Sequence, residues 1–252
     1  MRRRSALATS PSSYVVTGAV DDSQRAAARV VGITYLLTNA TAMFAAFYAG
    51  SLVVDGDAAK TAANITASER LFRLGIASDL FTFAAVVPLI VALYVVLRPV
   101  NRNLALLALS WRLVETSIFV VATLNNLSVL RALSGAAYLR ASEAQRLQAL
   151  MMLSIGAHGA GYNFGLIFFG LGSTVFSYLF FKSNYIPRAL AALGVLSSLL
   201  VATCCFAFII FPNLADNLEP GIFMPSLVFE LATGLWLLIK GLGVSKVIAV
   251  QT

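Results

Sequence analysis

Residues 71–97 read LFRLGIASDLFTFAAVVPLIVALYVVL and end at Arg98-Pro99. A run this apolar and this long can cross the roughly 30 Å of bilayer hydrocarbon, which takes about 20 residues of helix. Lipid offers backbone N–H and C=O groups no partner, so the segment must satisfy them within itself, as a helix does. Asp79 interrupts the run well away from either end. Pro88 should kink the helix by freeing a carbonyl one turn earlier.

Comparable segments lie on both sides: about Val30 to Val54, Leu104 to Leu130, Ala149 to Phe181, Ala189 to Phe211 and Ile222 to Ile239, the last being the shortest. The composition agrees. Of the 252 residues, 59% are hydrophobic and only 12% charged, and the mean hydropathy is +0.85. That balance is far from a soluble domain's. The expectation is an all-α, six-helix transmembrane bundle, one domain over residues 26–241. A flexible basic tail (residues 1–25) precedes it and a short tail (residues 242–252) follows. No apolar core of signal-peptide length closely follows Arg2, Arg3 and Arg4, so the first segment reads as a tail in the cytoplasm. Residues 141–150 could form a short interfacial helix capped by Ser142.

The net charge of +7 does not point to nucleic acid, because the basic residues punctuate the ends of apolar runs and do not form a patch. They set topology and anchor headgroups. Arg2, Arg3, Arg4, Arg25, Arg29, Arg98, Arg102, Lys182, Arg188, Lys240 and Lys246 fall on one side. Lys60, Arg70, Arg73, Arg131, Arg140 and Arg146 fall on the other. The first group is the larger, so both termini are expected in the cytoplasm and the protein in the plasma membrane. The two cysteines, Cys204 and Cys205, are adjacent within an apolar run and lack metal-ligand spacing, so they read as buried thiols that fill space.

Asp79, Arg112, Glu115, His158 and Glu230 lie inside the apolar segments, where an isolated charge costs roughly 2.5 to 3.5 kcal/mol on an insertion scale. At 1.5 Å per residue each is about 12 to 16 Å along its helix, which places all five within roughly 6 Å of one depth near the midplane. Helical rotation then groups them by face. The third segment carries a polar stripe of Arg112, Glu115, Thr116, Thr123 and Asn126. The fourth presents Ser154, His158, Gly161, Tyr162, Gly165 and Gly172, a face small enough for close helix approach. Gly75, Asp79 and Thr82 share a face of the second segment, Ser226, Glu230, Thr233 and Gly234 one of the sixth, and Thr34, Thr38, Thr41 and Tyr48 one of the first. The fifth segment has no ionisable residue within its span and is placed at the periphery. Phe44, Phe47, Phe223 and Trp236 are assigned to lipid contact or interface anchoring.

Arg112 and Glu115 are three apart and can pair on one helix. A guanidinium has five donors, so Asp79 or Glu230 is the expected second acceptor. Three carboxylates facing one arginine and one histidine would carry a net charge of minus two if all were ionised and His158 neutral. A bound proton, a charged His158, or a cation or cationic ligand would relieve that imbalance. Asp79, Arg112, Glu115, His158, Tyr162 and Glu230 therefore form the candidate ligand-binding cluster. Two plainer readings stand beside it: an Arg-carboxylate pair can serve only to lock packing, and a lone histidine can simply bond a neighbouring helix.

Familiar chemistries find no support. A single histidine excludes bis-histidine haem ligation, and no metalloprotease, Walker or nucleophile-elbow pattern sits in a suitable context. Neither metal, nucleotide nor flavin is expected.

The stretch SLVVDGDAAKTAANITASERLFRLGIASDL from Ser51, continued by LYVVLRPVNRNLALLALSWRLVE up to Glu115, resembles a family of multi-pass membrane proteins of bacteria called domain of unknown function 4386. HGAGYNFGLIFFGLGSTVFSYLFFKSNYIPRALAALG (residues 158–194) and FELATGLWLLIKG (residues 229–241) continue the likeness. It implies a six-helix membrane protein over roughly residues 25–241, with no activity or site residue to carry over.

Three readings of function stay open. The first is a carrier or binding protein for a small polar ligand or proton. The second is a sensor or interaction protein with a membrane or cytoplasmic protein partner. The third is an intramembrane enzyme using His158 or Glu115 as acid or base, for which no nucleophile is evident. The lipid bilayer is a partner in all three, and nucleic acid in none.

Overall fold

The computed structural model describes residues 20–136, 141–214 and 221–243, and these are helical throughout apart from short connections, with no strand among them. The elements are α1 (Asp22–Phe44), extended by a π-turn (Ala45–Ala49) and a 3-10 turn (Gly50–Leu52); α2 (Ala58–Ala67); α3 (Glu69–Leu97); α4 (Arg102–Ala136); α5 (Ala141–Ser183); α6 (Arg188–Ile210), followed by a 3-10 turn (Pro212–Leu214); and α7 (Met224–Ile239). Five stretches, Asp22–Leu52, Glu69–Leu97, Arg102–Ser134, Gln145–Ser183 and Arg188–Ile210, are long and apolar enough to cross a membrane. The protein is an integral membrane protein. α7 has 16 residues, about 24 Å of helix, which is shorter than the hydrocarbon layer. Five stretches thus have the length and apolarity of membrane spans, and the sixth expected segment contains the shorter helix α7.

Helix boundaries follow local chemistry. α1 starts on a capping box: the Asp21 carboxylate accepts the Gln24 N–H at 2.6 Å, and Gln24 Oε1 accepts the Asp21 N–H at 3.2 Å. Such a pair satisfies two of the orphan donors at a helix start. The expected tail boundary at residue 25 thus falls inside ordered helix, while residues 1–19 lie outside the described residues. Gln24 is buried and its Nε2 donates to the Val96 carbonyl at 3.0 Å and to the Tyr185 hydroxyl at 3.3 Å. This ties the start of α1 to the end of α3 and the α5–α6 turn. α5 ends where Asn184 enters the left-handed region at φ 58°, a conformation asparagine tolerates at helix C-termini.

Two local features were missed at the level of sequence. α2 occupies what reads as a loop, with Asp57 accepting the Lys60 N–H at 2.8 Å as its cap. The expected interfacial helix at 141–150 is instead the first part of α5, which runs unbroken for 43 residues. The side chain of Ser142, its expected cap, lies outside what is described. α3 continues through Pro88.

The helices close into a ring in chain order. α1 packs on α3, α3 on α4, α4 on α5, α5 on α6, α6 on α7, and α7 returns to α1. α6 packs mainly on its two neighbours in that ring. Because lipid is as apolar as leucine, such packing rests on close van der Waals fit rather than on the hydrophobic effect. The glycine face of α5 supplies it. A Cβ on Gly161 would meet Ala122 at 2.7 Å, and one on Gly172 would meet Arg112 Cγ at 2.8 Å and the Ala108 carbonyl at 3.0 Å. Gly32 and Gly234 bring α1 and α7 together in the same way, a Cβ on Gly32 lying 2.9 Å from the Gly234 carbonyl.

The apolar core is divided. One cluster, including Val31, Leu93, Val96, Leu97, Ala105, Leu179, Phe180 and Leu237, fills the end of the ring that bears the α3–α4 and α5–α6 turns. Another, including Leu52, Ile65, Phe72, Ile76, Val129 and Met151, fills the end that bears α2. The polar side chains of the spans lie between them. Trp236 is partly buried against the first cluster, and Phe223 and Phe47 both line a cavity in the bundle, Phe47 at 66% exposure.

Candidate functional site

Two adjoining chambers occupy the space between the apolar clusters. The larger, of about 590 Å³, lies toward the α2 end and is walled by α1, α3, α5 and α7, with Asn126 of α4. The smaller, of about 160 Å³, lies deeper and is lined by Arg112, Glu115, Thr116, Thr82 and Thr38 among others. Asn39, Ala42, Tyr162, Leu166, Phe169 and Glu230 belong to the walls of both. They form the partition.

The polar stripe of α4 builds the deep chamber. Arg112, Glu115, Thr116 and Thr123 are all buried, at 4%, 2%, 7% and 2% exposure. Arg112 Nη1 lies 2.8 Å from Glu115 Oε2. Neither atom has a partner in hydrogen-bond geometry, so the two are held as an ion pair whose N–H does not point along the line to the oxygen. Each keeps hydrogen-bonding capacity. Neither Asp79 nor Glu230 forms an ion pair with Arg112 among the described residues, which corrects the expected second acceptor. The guanidinium instead lies over the Phe169 ring, 4.5 Å from its centroid. An arginine can rest there because its flat, weakly hydrated cation is attracted to an aromatic face. The stem fits because Gly172 has no side chain to meet it. Thr116 and Thr123 donate to the carbonyls of Arg112 and Phe119 at 2.8 and 2.9 Å, a local bond that satisfies their hydroxyls within the helix.

Glu230 stands on the partition. Its Oε2 accepts from Asn39 Nδ2 at 2.9 Å, and the same amide group donates to the Tyr35 carbonyl at 2.8 Å. α1 and α7 are thus joined by a polar link across the ring closure. Asn39 was not singled out by face analysis. An amide one turn beyond Tyr35 in an otherwise apolar run was the available signal.

Asp79 and His158 line the large chamber. The Asp79 carboxyl faces the Tyr162 hydroxyl. His158 Nδ1 is 3.1 Å from the Ala122 carbonyl. A carbonyl has no proton, so Nδ1 is the donor. Tyr162 stacks on Phe119 with centroids 4.4 Å apart and stands 5.0 Å from the His158 ring. The plain reading of His158 as a helix-to-helix contact therefore holds for one of its nitrogens.

The chamber wall on α1 departs from the expected face. Thr34 and Thr38 point inward and are buried, and Thr41 shares a 2.6 Å hydrogen bond with Thr82. Tyr48, however, is 59% exposed. The π-turn at Ala45–Ala49 is the reason. Its wider turn takes an extra residue and rotates everything beyond it, so Ala45 and Ala49 face inward in place of Tyr48. Ala49 can then pack directly against Gly75 of α3. No property of the residues around Ala45 announced that turn.

All of these groups lie within the portion of the chain that matches a family model. Residues 30–241 match the model described as "Domain of unknown function (DUF4386)". A protein of Archaeoglobus fulgidus described as "Uncharacterized protein" is 28% identical over 160 residues, which cover 63% of this chain and 78% of that protein. No solved structure matches. With the match extending from the middle of α1 to just beyond α7, the chain belongs to the DUF4386 family.

Proposed function

We propose that this is a six-span membrane protein, its termini in the cytoplasm and its bundle in the plasma membrane, that binds a small polar or protonatable ligand in the paired chambers, as a carrier would. The observation that supports it most is the large chamber. A space of about 590 Å³ is within the range of small-molecule sites, and its few polar groups converge from five helices on otherwise apolar walls. Ionisable groups inside a membrane domain that border such a space mark ligand or ion pathways.

One observation favours the alternative, a sensor or interaction protein with a structural charge network. Arg112 is paired with Glu115, and His158 bonds to Ala122, both within the protein. Mass spectrometry of protein extracted gently from membranes separates the two. The carrier reading predicts a bound small molecule whose occupancy falls in Gly159→Trp, because Gly159 lines the chamber and a Cβ there meets nothing within 4 Å. A folded protein that retains nothing, in either form, overturns it.

A further inference from the structure

We propose that the ligand of the large chamber is an organic cation with an apolar body, its charge held between the Asp79 and Glu230 carboxylates. This rests on the binding reading above and adds the ligand's chemical class.

The electrostatic argument starts from the wall. Among the described residues that line the large chamber, the ionisable groups are Asp79, Glu230, His158 and Tyr162, with no lysine or arginine. The Arg112 guanidinium is in the adjoining chamber, whose wall Glu230 shares; it is paired with Glu115 at 2.8 Å and lies over the Phe169 face, and its charge also acts on Glu230. Two carboxyl groups thus face one space with a single imidazole as the only basic group in its wall. A bound cation supplies the missing charge, whereas an anion would meet two acids at close quarters in a low dielectric.

The hydrogen bonding of Glu230 leaves room for a ligand. Glu230 shares a face of α7 with Ser226, four residues before it, and both residues line the chamber. On the carboxylate, one oxygen accepts from Asn39, which fixes the group's position while leaving lone pairs for another donor.

The remaining walls define the rest of the ligand. Tyr162, Phe169, Phe223 and Phe72 are in the lining, and aromatic faces attract organic ammonium groups. On the α1 side the wall includes Met43 and Phe47, which are 39% and 66% exposed. The chamber therefore meets the membrane-facing surface of α1, and an amphiphilic molecule can enter from the bilayer with its apolar part toward those side chains.

Three probes with one skeleton and different charge test the assignment: 4-phenylbutylammonium, 4-phenylbutanol and 4-phenylbutyrate. Binding to the detergent-solubilised full chain is measured by equilibrium dialysis, with thermal stabilisation as a second readout. The ammonium should bind at least about tenfold more tightly than the alcohol or the carboxylate. Asp79→Asn and Glu230→Gln should each weaken the ammonium by about tenfold and leave the alcohol unchanged. Each variant's fold is checked by size-exclusion profile and circular dichroism, and Ser226→Ala serves as a milder change at the same wall. Equal binding of the three probes, or folded carboxylate variants that keep full ammonium affinity, overturns the proposal. If the ammonium fails while a neutral or anionic compound co-purifies and is lost in Gly159→Trp, the cation assignment falls and the binding reading stands. If nothing binds and nothing co-purifies, both fall.

Discussion

The Arg112 guanidinium meets the Glu115 carboxylate 2.8 Å away on one face of α4, with 5% and 3% of their side chains exposed. Removing either partner leaves the other as an uncompensated charge in the bundle. Arg112→Met and Glu115→Gln should therefore each destabilise by about 3 to 5 kcal/mol, and the double change should recover most of the loss. The apparent melting temperature in detergent, followed by the monodisperse fraction on size exclusion, checks this. A single variant as stable as the parent would show that the pair contributes nothing.

Two glycines of α5 should respond in opposite directions. A Cβ at Gly172 would lie 2.8 Å from Arg112 Cγ and 3.0 Å from the Ala108 carbonyl, whereas one at Gly156 meets nothing within 4 Å. Gly172→Val should cost about 1 to 3 kcal/mol or more through overpacking at the α4–α5 contact. Gly156→Ala should gain up to about 1 kcal/mol, because alanine loses less conformational freedom in a helix. The same thermal assay reads both, and an equal response would contradict the packing described.

The single histidine offers a spectroscopic check. His158 Nδ1 donates to the Ala122 carbonyl at 3.1 Å, so nitrogen NMR of histidine-labelled protein should show a proton on Nδ1. His158→Ala should cost only about 0.5 to 1.5 kcal/mol, the net worth of one hydrogen bond, since the Ala122 carbonyl also accepts from Asn125 Nδ2 at 3.0 Å. A ring protonated on Nε2 alone would remove this bond.

Gln24 acts as cap and cross-link together. Gln24→Ala loses its part of the capping box and the donations to Val96 and Tyr185. The expected loss is about 1 to 3 kcal/mol, with α1 opening first at its start. Hydrogen exchange over residues 22–31 should rise locally in this variant. Unchanged protection there would show that the start of α1 is held by other contacts.

Orientation is testable with single cysteines in a Cys204→Ala, Cys205→Ala background. Asp57→Cys, at the α2 end, should react with a membrane-impermeant maleimide in intact cells. Asn101→Cys, in the α3–α4 turn, should react only after permeabilisation. The reverse pattern would place the termini outside.

Residues 71–97 alone announce a membrane helix, because length and apolarity are properties of the local sequence and the bilayer imposes a fixed length. The boundaries of α3, and the inward stripe of Arg112, Glu115, Thr116 and Thr123, follow from the same local rules. α2 and the continuity of α5 do not: their polar, alanine-rich residues permit loop or helix, and packing against the ends of α3 and α5 is compatible with only one of these.

What the chain determined by itself was its class, its long apolar helices and the faces that must hide charge, all of which depend on residue type and helical periodicity. Only the tertiary structure decided which charges share a space. Arg112 is claimed by Glu115 and Phe169, Glu230 by Asn39, and Asp79 faces Tyr162. A π-turn at Ala45–Ala49, invisible to a 3.6-residue period, rotates Tyr48 out and lets Ala49 close on Gly75. Partners across helices separated by as much as 191 positions are chosen by shape and crossing, and no local pattern encodes those.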